Sequence, residues 1–384
     1  MTAEWVDAVE RVEAAAEAGR ADTDRSAQFP VEALAAMRRS GLLGLTVPQR
    51  YGGFGASLDD LVDVTERLGR TDLSVALVFT MHCQQVAALD GYGGDKLREE
   101  VLPAVAAGDV YLASVTTEPG KGGHLLTSES EVTEDEGVLR IDRDAPIVTG
   151  GLHADGFLVT TRSPGATAPS QVDLVYAGRD QLDLEVLGDW QPLGMRATHS
   201  VPMRLRGAAP QWQVIGGHGA FRDITTAVFG PLAHLGWSAA WLGTAAGAYS
   251  RLLRHARGPA GRRQFDLTSE LVRLRLAGVR ERLDVVNALL RHTLAVVRAA
   301  PDRSAPPVQL VLNTLKVRAA DECFAAVHET VELAGLRHGY LTGSPLGLEQ
   351  AFRDLRSASL NYGNDRLRLA NGALTALDQG VRLA

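Results

Sequence analysis

The chain has 384 residues, of which 45% are hydrophobic and 22% charged, proportions that are ordinary for a globular enzyme and exclude disordered or fibrous architectures. The formal net charge of −7 means that the surface as a whole repels polyanions, so no nucleic-acid partner is expected. The two cysteines, Cys83 and Cys323, lie outside any CxxC or Cys/His ligand spacing. They predict free thiols in a cytoplasmic protein and no bound metal.

Apolar residues recur every three or four positions from residue 3 to about residue 108, which predicts amphipathic helices. From Asp109 the pattern changes to short alternating runs such as GVLRIDRDAPIV and GFLVTTRS, which are typical of strands. The helical period returns after Gly216. We therefore predict an α+β fold with an N-terminal helical bundle, a central β domain and a C-terminal four-helix bundle, over residues 1–109, 110–215 and 216–384.

No export signal is expected, because the N-terminal segment alternates acidic and apolar residues and lacks a basic region followed by an apolar run. The most membrane-like stretch, residues 231–250, includes His234, Ser238 and Thr244 among its small residues. It predicts a buried helix of a bundle, not a membrane span. The chain also lacks GxGxxG between a strand and a helix, GxxxxGK[ST], HExxH and GxSxG, so the usual dinucleotide-fold and hydrolase interpretations have no support.

Five segments stand out together: VPQRYGG at 47–53, ASVTTEPGKGG at 113–123, IVTGGLHADGFLV at 147–159, LGMRATHS at 193–200 and FRDLRSASLNYGND at 352–365. In this order and spacing they resemble the acyl-CoA dehydrogenase superfamily. The resemblance covers almost the whole chain. It implies an FAD enzyme in which the flavin lies between the β domain and the C-terminal helices.

The resemblance implies that the flavin ring is contacted by Thr116 and Thr117, at the strand end that matches the family's T-E-P-G. Ile147 and Thr149 match its W-I-T-N-G, although the Trp and Asn are absent here. Ile147 would cover the ring with apolar area but offers no π system. A strand end with Thr before Pro is also consistent with a simple turn.

For the rest of the cofactor, the resemblance implies Arg262 and Arg263 of an R-x-x-F-like segment, Gly335 of a Q-x-x-G-G-like turn, and Asn364. In the family that turn comes from a neighbouring subunit, so a homodimer or homotetramer is implied. The alternative interpretation is that both arginines are solvated surface residues without a binding role.

The family's catalytic Glu is missing, because ungapped counting from Arg353 places Tyr362 on its position. A phenol, with a reference pKa of about 10, is a weak candidate base. His234 is the one titratable side chain near the other position that family members use, and an imidazole accepts a proton at neutral pH. A satisfied interior histidine is the competing interpretation of His234.

The implied substrate is an acyl thioester of coenzyme A or of an acyl carrier protein. Gly123 and His124 follow the T-E-P-G match where relatives have a Ser and a small polar residue, which suggests an altered substrate entrance. Thr198 and Ser200 in LGMRATHS are further candidate substrate contacts. A loop histidine without function and strand capping by the hydroxyls explain these residues equally well.

Three functions remain open on the sequence. The first is oxidation of the Cα–Cβ bond of an acyl thioester, with Tyr362, His234 or the substrate itself replacing the missing Glu. The second is a flavin monooxygenase, which uses reduced flavin and oxygen and requires no α-proton base. The third is a catalytically silent subunit that binds flavin or a partner.

Overall fold

The structure is a computed structural model, and it describes residues 5–120 and 124–377. Its N-terminal part is helical, with α1 (Val6–Ser26), α2 (Val31–Ser40), α3 (Leu58–Thr71), α4 (Leu73–Tyr92) and α5 (Asp95–Ala107). Ser57 and Asp60 form a capping box at the start of α3, and Asp72 caps α4 by accepting from the Val75 amide. α4 is buried on nearly every side, which explains why its sequence is apolar all round.

The central part consists of two four-stranded sheets. One has the order β1-β4-β5-β8 and the other β2-β3-β7-β6. β1 pairs with β4 in parallel and the other pairings are antiparallel. The strands are β1 (Leu112–Val115), β2 (Thr133–Asp135), β3 (Val138–Ala145), β4 (Gly156–Arg162), β5 (Val172–Gly178), β6 (Leu182–Val186), β7 (Met203–Pro210) and β8 (Val214–Ile215).

The C-terminal part is helical again, and α6 continues through a π turn at Thr225–Phe229 directly into α7. α7 packs against α3 and α4 of the N-terminal part and against α8 and α9 of the C-terminal part. The helices are α6 (Phe221–Ile224), α7 (Gly230–Arg257), α8 (Glu270–Ala299), α9 (Pro306–Gly335), α10 (Leu348–Leu355) and α11 (Asn364–Ala376).

Glycines let α3 and α7 approach closely. A Cβ built on Gly243 would lie 2.1 Å from the Glu66 carbonyl oxygen, and one on Gly69 would lie 2.4 Å from the Ala240 carbonyl oxygen. Neither contact is sterically allowed for any other residue type. This close crossing ties the N-terminal helices to the C-terminal bundle.

The predicted order of helices, strands and helices is confirmed, as is the expectation that residues 231–250 form a buried helix, since they lie in α7. Across residues 5–120 and 124–377, no helix combines the length and apolarity that crossing a bilayer requires. Both cysteines are buried free thiols.

Candidate functional site

A cavity of about 360 Å³ lies where the two helical parts meet the β domain. Its walls come from α4, the ends of β1 and β3, the loop before β7, the start of α7 and the turn between α10 and α11. Most of the lining is apolar or aromatic. The residues are Leu77, Met81, Gln84, Ser114, Thr116, Thr117, Leu125, Ile147, Thr149, Trp190, Pro192, Gly194, Met195, Thr198, Ser200, Phe229, Trp237, Ser357, Leu360, Asn361, Tyr362, Gly363 and Arg366.

Thr117 joins the two segments that were predicted to hold the flavin ring. Its Oγ1 donates to the Ile147 carbonyl at 3.0 Å and accepts from the Ile147 amide at 3.3 Å. Thr116, Ile147 and Thr149 lie in the same wall. The structure therefore brings these four candidate residues together.

Behind this wall a fully buried ion pair between Arg143 and Glu118 fixes the end of β1. Arg143 donates to the Thr117 carbonyl at 2.8 Å, while Glu118 accepts from the Ser128 hydroxyl and the Ser130 amide. Burial lowers the pKa of Arg143 to about 9, which leaves it protonated at neutral pH. Sequence reasoning missed this pair. The signal was present, because the two-residue period of β3 points Arg143 inward with Leu139.

The candidate hydroxyls form a chain across the cavity. Thr149 Oγ1 and Ser200 Oγ are 3.0 Å apart, and Ser200 Oγ and Thr198 Oγ1 are 2.8 Å apart. Thr198 in turn donates to the Met195 carbonyl at 2.8 Å. A chain of hydroxyls presents both donors and acceptors, so it can serve the polar edge of a bound ring or substrate.

The loop that carries Met195, here called the lip (residues 190–198), is clamped by residues from both helical parts. The Asp354 carboxylate accepts from the Met195 amide at 2.6 Å. Arg353 pairs with Asp24 of α1 and also donates to the Leu193 carbonyl. Burial, followed by the charge of Asp72, raises the pKa of Asp354 to about 8. The R-D-x-R match thus shapes the cavity without lining it.

Tyr362 lies in the cavity wall in the left-handed region, with φ of +46°. Its ring packs on Trp237, with ring centroids 4.9 Å apart. The Tyr362 and His234 rings meet in an edge-to-face arrangement, with ring centroids 6.1 Å apart. Burial raises the pKa of the Tyr362 phenol above its ordinary value. At neutral pH this side chain is a neutral hydrogen-bonding group, and it is not a base.

His234 lies behind Tyr362 and does not belong to the cavity lining. Burial, followed by the charge of Lys316, lowers the pKa of His234 to about 3. The imidazole is therefore neutral, and its Nδ1 is buried without a hydrogen-bond partner within the described part of the chain. A group with so low a pKa has little driving force to take up a proton.

The remaining candidate residues lie elsewhere. Asn364 is buried: its Oδ1 accepts from Lys316 Nζ at 2.8 Å, and its Nδ2 donates to Asp321 Oδ1 at 2.9 Å. Arg262 and Arg263 are exposed beyond the end of α7. Since about 20 residues of helix separate them from Trp237, they are on the order of 30 Å from the cavity.

Gly335 ends α9 with φ of +66°, near the same end of α7, because His338 just after it contacts His255, with ring centroids 4.5 Å apart. The structure thus brings Gly335 toward the Arg262 and Arg263 segment and not toward the cavity. His124 is exposed, and Gly123 lies outside the described residues.

The residues of the cavity fit a flavin ring by their chemistry. Four aromatic side chains supply flat apolar surface for a planar heteroaromatic system, and the hydroxyl chain supplies partners for its polar edge. The aromatic residues are Trp190, Phe229, Trp237 and Tyr362. Over the described ranges, no group of His, Cys, Asp and Glu side chains is arranged to hold a metal ion.

Comparison with models of protein families shows to which superfamily the chain belongs. The model of the acyl-CoA dehydrogenase N-terminal domain matches residues 2–109, and that of the acyl-CoA dehydrogenase C-terminal domain matches residues 232–374. The chain belongs to the acyl-CoA dehydrogenase superfamily. It is therefore a flavoenzyme of the acyl-CoA dehydrogenase fold, and the predicted family and fold are both confirmed.

Relatives within the superfamily differ in the activities that their names describe. The chain is 25% identical to a mitochondrial isobutyryl-CoA dehydrogenase of Dictyostelium discoideum, over 89% of this chain and 80% of the relative. It is 26% identical to the amino sugar nitrososynthase DnmZ of Streptomyces peucetius, over 93% and 88%. Among solved structures, TdsC of Paenibacillus sp. A11-2 with FMN and indole superposes with a TM-score of 0.85 at 19% identity, covering 96% of each chain. At that identity, the structural likeness concerns the fold.

Proposed function

We propose that this chain is a flavin-dependent monooxygenase. The observation that carries the proposal is the absence of a carboxylate from the cavity: none of the described residues in its lining is Asp or Glu. Removing the α-proton of an acyl thioester needs a base in reach of the substrate, with a pKa near the working pH.

Neither candidate base meets that requirement. The Tyr362 phenol has a raised pKa and stays protonated, and the His234 imidazole has a pKa of about 3 and lies behind the wall. Oxygen insertion has no such requirement. One oxygen atom of O₂ enters the substrate, the other leaves as water, and reduced flavin supplies the two electrons and two protons.

The reduced flavin, when bound, supplies these electrons for the activation of oxygen. The chain's own residues orient and enclose the reactants. Trp190, Phe229 and Trp237 exclude water, while the neutral Tyr362 phenol and the Thr149–Ser200–Thr198 chain offer hydrogen bonds at the polar edge. Thr117 within the wall and Arg143 behind it hold the wall in place.

A largely apolar substrate without positive charge fits this lining, because the described wall offers no acidic side chain to pair with a cation. The substrate named for the dehydrogenase relative, an acyl thioester, supports a second candidate function, Cα–Cβ oxidation. That reaction would need a base from outside the described wall, such as the substrate itself.

FAD is the cofactor that we propose, and a homodimer or homotetramer would complete its site. Arg262, Arg263 and Gly335 lie too far from the cavity of their own chain to reach a diphosphate there. A second subunit would have to bring them close, in line with the family resemblance. A cytoplasmic location is part of the same proposal.

The test uses purified protein with FAD, a flavin reductase and isotopically labelled oxygen. Oxygen-dependent turnover of an aromatic compound without positive charge, with label in the product, supports the proposal. Anaerobic bleaching of bound flavin by an acyl thioester, without label incorporation, would replace it with the dehydrogenase. Protein that binds neither FAD nor FMN would instead support the silent subunit.

A further inference from the structure

Lys316, in the middle of α9, has a fully buried ammonium that lies under the turn carrying Tyr362. The Nζ atom donates to the Ala358 carbonyl at 3.1 Å and to the Tyr362 carbonyl at 3.0 Å. A third bond, at 2.8 Å, goes to Asn364 Oδ1. Two of the three acceptors therefore belong to the turn between α10 and α11 (residues 356–363), and the third lies at the start of α11.

Lysine is an unusual choice in this chain, which has 36 arginines and three lysines. Arginine presents its donors in a planar fork, whereas an ammonium directs three donors from one atom. Three acceptors that converge on one point are matched by the ammonium alone. Of the two lysines that the structure describes, Lys96 is exposed and Lys316 is buried.

The turn needs such a support because Tyr362 is strained. The left-handed region is unfavourable for a residue that carries a Cβ, and Tyr362 has φ of +46°. The neighbouring Gly363 immediately precedes α11 and adds no side chain to hold the turn. With its carbonyl fixed by Lys316, the Tyr362 ring stays against Trp237 in the cavity wall.

We propose that Lys316 is a positioning residue for the cavity: its ammonium holds the 356–363 turn so that Tyr362 closes the wall against flavin and substrate. The inference rests on the flavin site proposed above. It does not depend on whether the reaction is oxygenation or dehydrogenation.

Several charged or titratable groups surround the ammonium. Asp321 of α9 raises the pKa of Lys316 and Arg368 of α11 lowers it, while His234 of α7 and Tyr362 face it from the cavity side. Burial is the largest effect, and it lowers the pKa of Lys316 to about 8. Below that pH the ammonium makes all three bonds. Above it a neutral amine has two donors, so one acceptor loses its partner.

The experiment measures the FAD dissociation constant by fluorescence across a pH series. It compares the wild type with Lys316→Met, Lys316→Arg and the matched control Lys96→Met. We expect Lys316→Met to weaken FAD binding about tenfold and Lys96→Met to leave it unchanged. Wild-type affinity should fall as the pH passes about 8, whereas Lys316→Arg, which keeps its charge, should show no such fall.

A Tyr362→Ala background separates positioning from general destabilisation. If Lys316 acts through the Tyr362 turn, Lys316→Met should have little further effect on FAD affinity in that background. Wild-type affinity in Lys316→Met, or an undiminished effect in the Tyr362→Ala background, overturns the proposal. If Lys316→Met does not fold, the pH series decides, and wild-type affinity that is constant from about pH 7 to about pH 9 overturns it.

The two proposals fail in distinguishable ways. If the wild type binds no flavin, the flavin site is wrong, and tryptophan emission becomes the readout for Lys316. Trp237 packs on Tyr362, so release of the turn by Lys316→Met should change that emission and its quenching by acrylamide. Emission identical to that of Lys96→Met would then overturn the role of Lys316.

Discussion

The buried pair of Arg143 and Glu118 allows a quantitative prediction about the wall of the cavity. Arg143→Met replaces the guanidinium with an apolar side chain that is shorter but similarly unbranched. It leaves the Glu118 carboxylate buried, with the Ser128 hydroxyl and the Ser130 amide still donating to it. Breaking a buried ion pair on one side costs about 3–5 kcal/mol. Because these donors remain, we expect a cost near the lower end, about 3 kcal/mol.

The assay is denaturant unfolding, with Arg204→Met as the matched control. Arg204 lies on β7, which pairs with β3, and its ion pair with Asp142 is partly exposed to solvent, with side-chain accessibilities of 33% and 56%. An exposed pair contributes about 0–1 kcal/mol, so the control should lose much less stability. Arg143→Met should also weaken FAD binding, because the Thr117 carbonyl loses its donor.

The reasoning would be refuted if Arg143→Met cost no more unfolding free energy than Arg204→Met. A double variant, Arg143→Met with Glu118→Leu, provides a second check. It removes both charges, so it should be more stable than Arg143→Met alone. A double variant that is less stable would show that the carboxylate contributes through its other donors alone.

Three further predictions concern separate parts of the molecule. Burial raises the pKa of Asp354 to about 8, so its contribution to stability should be lost as the pH rises from about 4 to about 8. Asp354→Asn should flatten that part of the unfolding free energy curve against pH, and an unchanged slope would contradict the assignment. Thr149→Val removes a hydroxyl from the chain across the cavity and should weaken FAD binding by about 1 kcal/mol, measured by fluorescence; wild-type affinity would exclude it from the site. Gly243→Ala should lower the melting temperature sharply, whereas Gly278→Ala, whose Cβ would meet no atom within 4 Å, should raise it slightly.

The order of helices and strands could be predicted from the sequence. Apolar residues recur every 3.6 positions in helices and every two positions in strands, and this difference remains visible even where single residues depart from the pattern. The sequence was less informative about β7, because the alternation of apolar and polar residues there covers only Met203–Arg206 and stops at Gly207, halfway along the strand. Pairing with β3 and β6 makes this segment a strand, and such pairing depends on residues far away in the sequence.

Within the site, motif matching identified the hydroxyl residues and Tyr362 as candidates, because a motif match depends on residue type alone. It could not bring out the roles of Lys316 or Asp354. Their partners are backbone groups, the Tyr362 carbonyl and the Met195 amide, which exist at every position and leave no mark on the sequence. The distance between Arg262 and the cavity could not be predicted from the sequence either, because it depends on the direction in which α7 runs.

The contacts of Arg353 with the lip connect the N-terminal and C-terminal helical parts of the chain. Arg353 reaches Asp24 across 329 positions of sequence, and it does so while also holding the Leu193 carbonyl. During synthesis, the β domain emerges long before residue 353, so the lip then has no partner from α10. Contacts of such long sequence separation form late in folding. A newly made chain should therefore acquire its cofactor only after release of nearly the whole polypeptide, and a nonsense mutation before Arg353 should yield protein that cannot retain flavin.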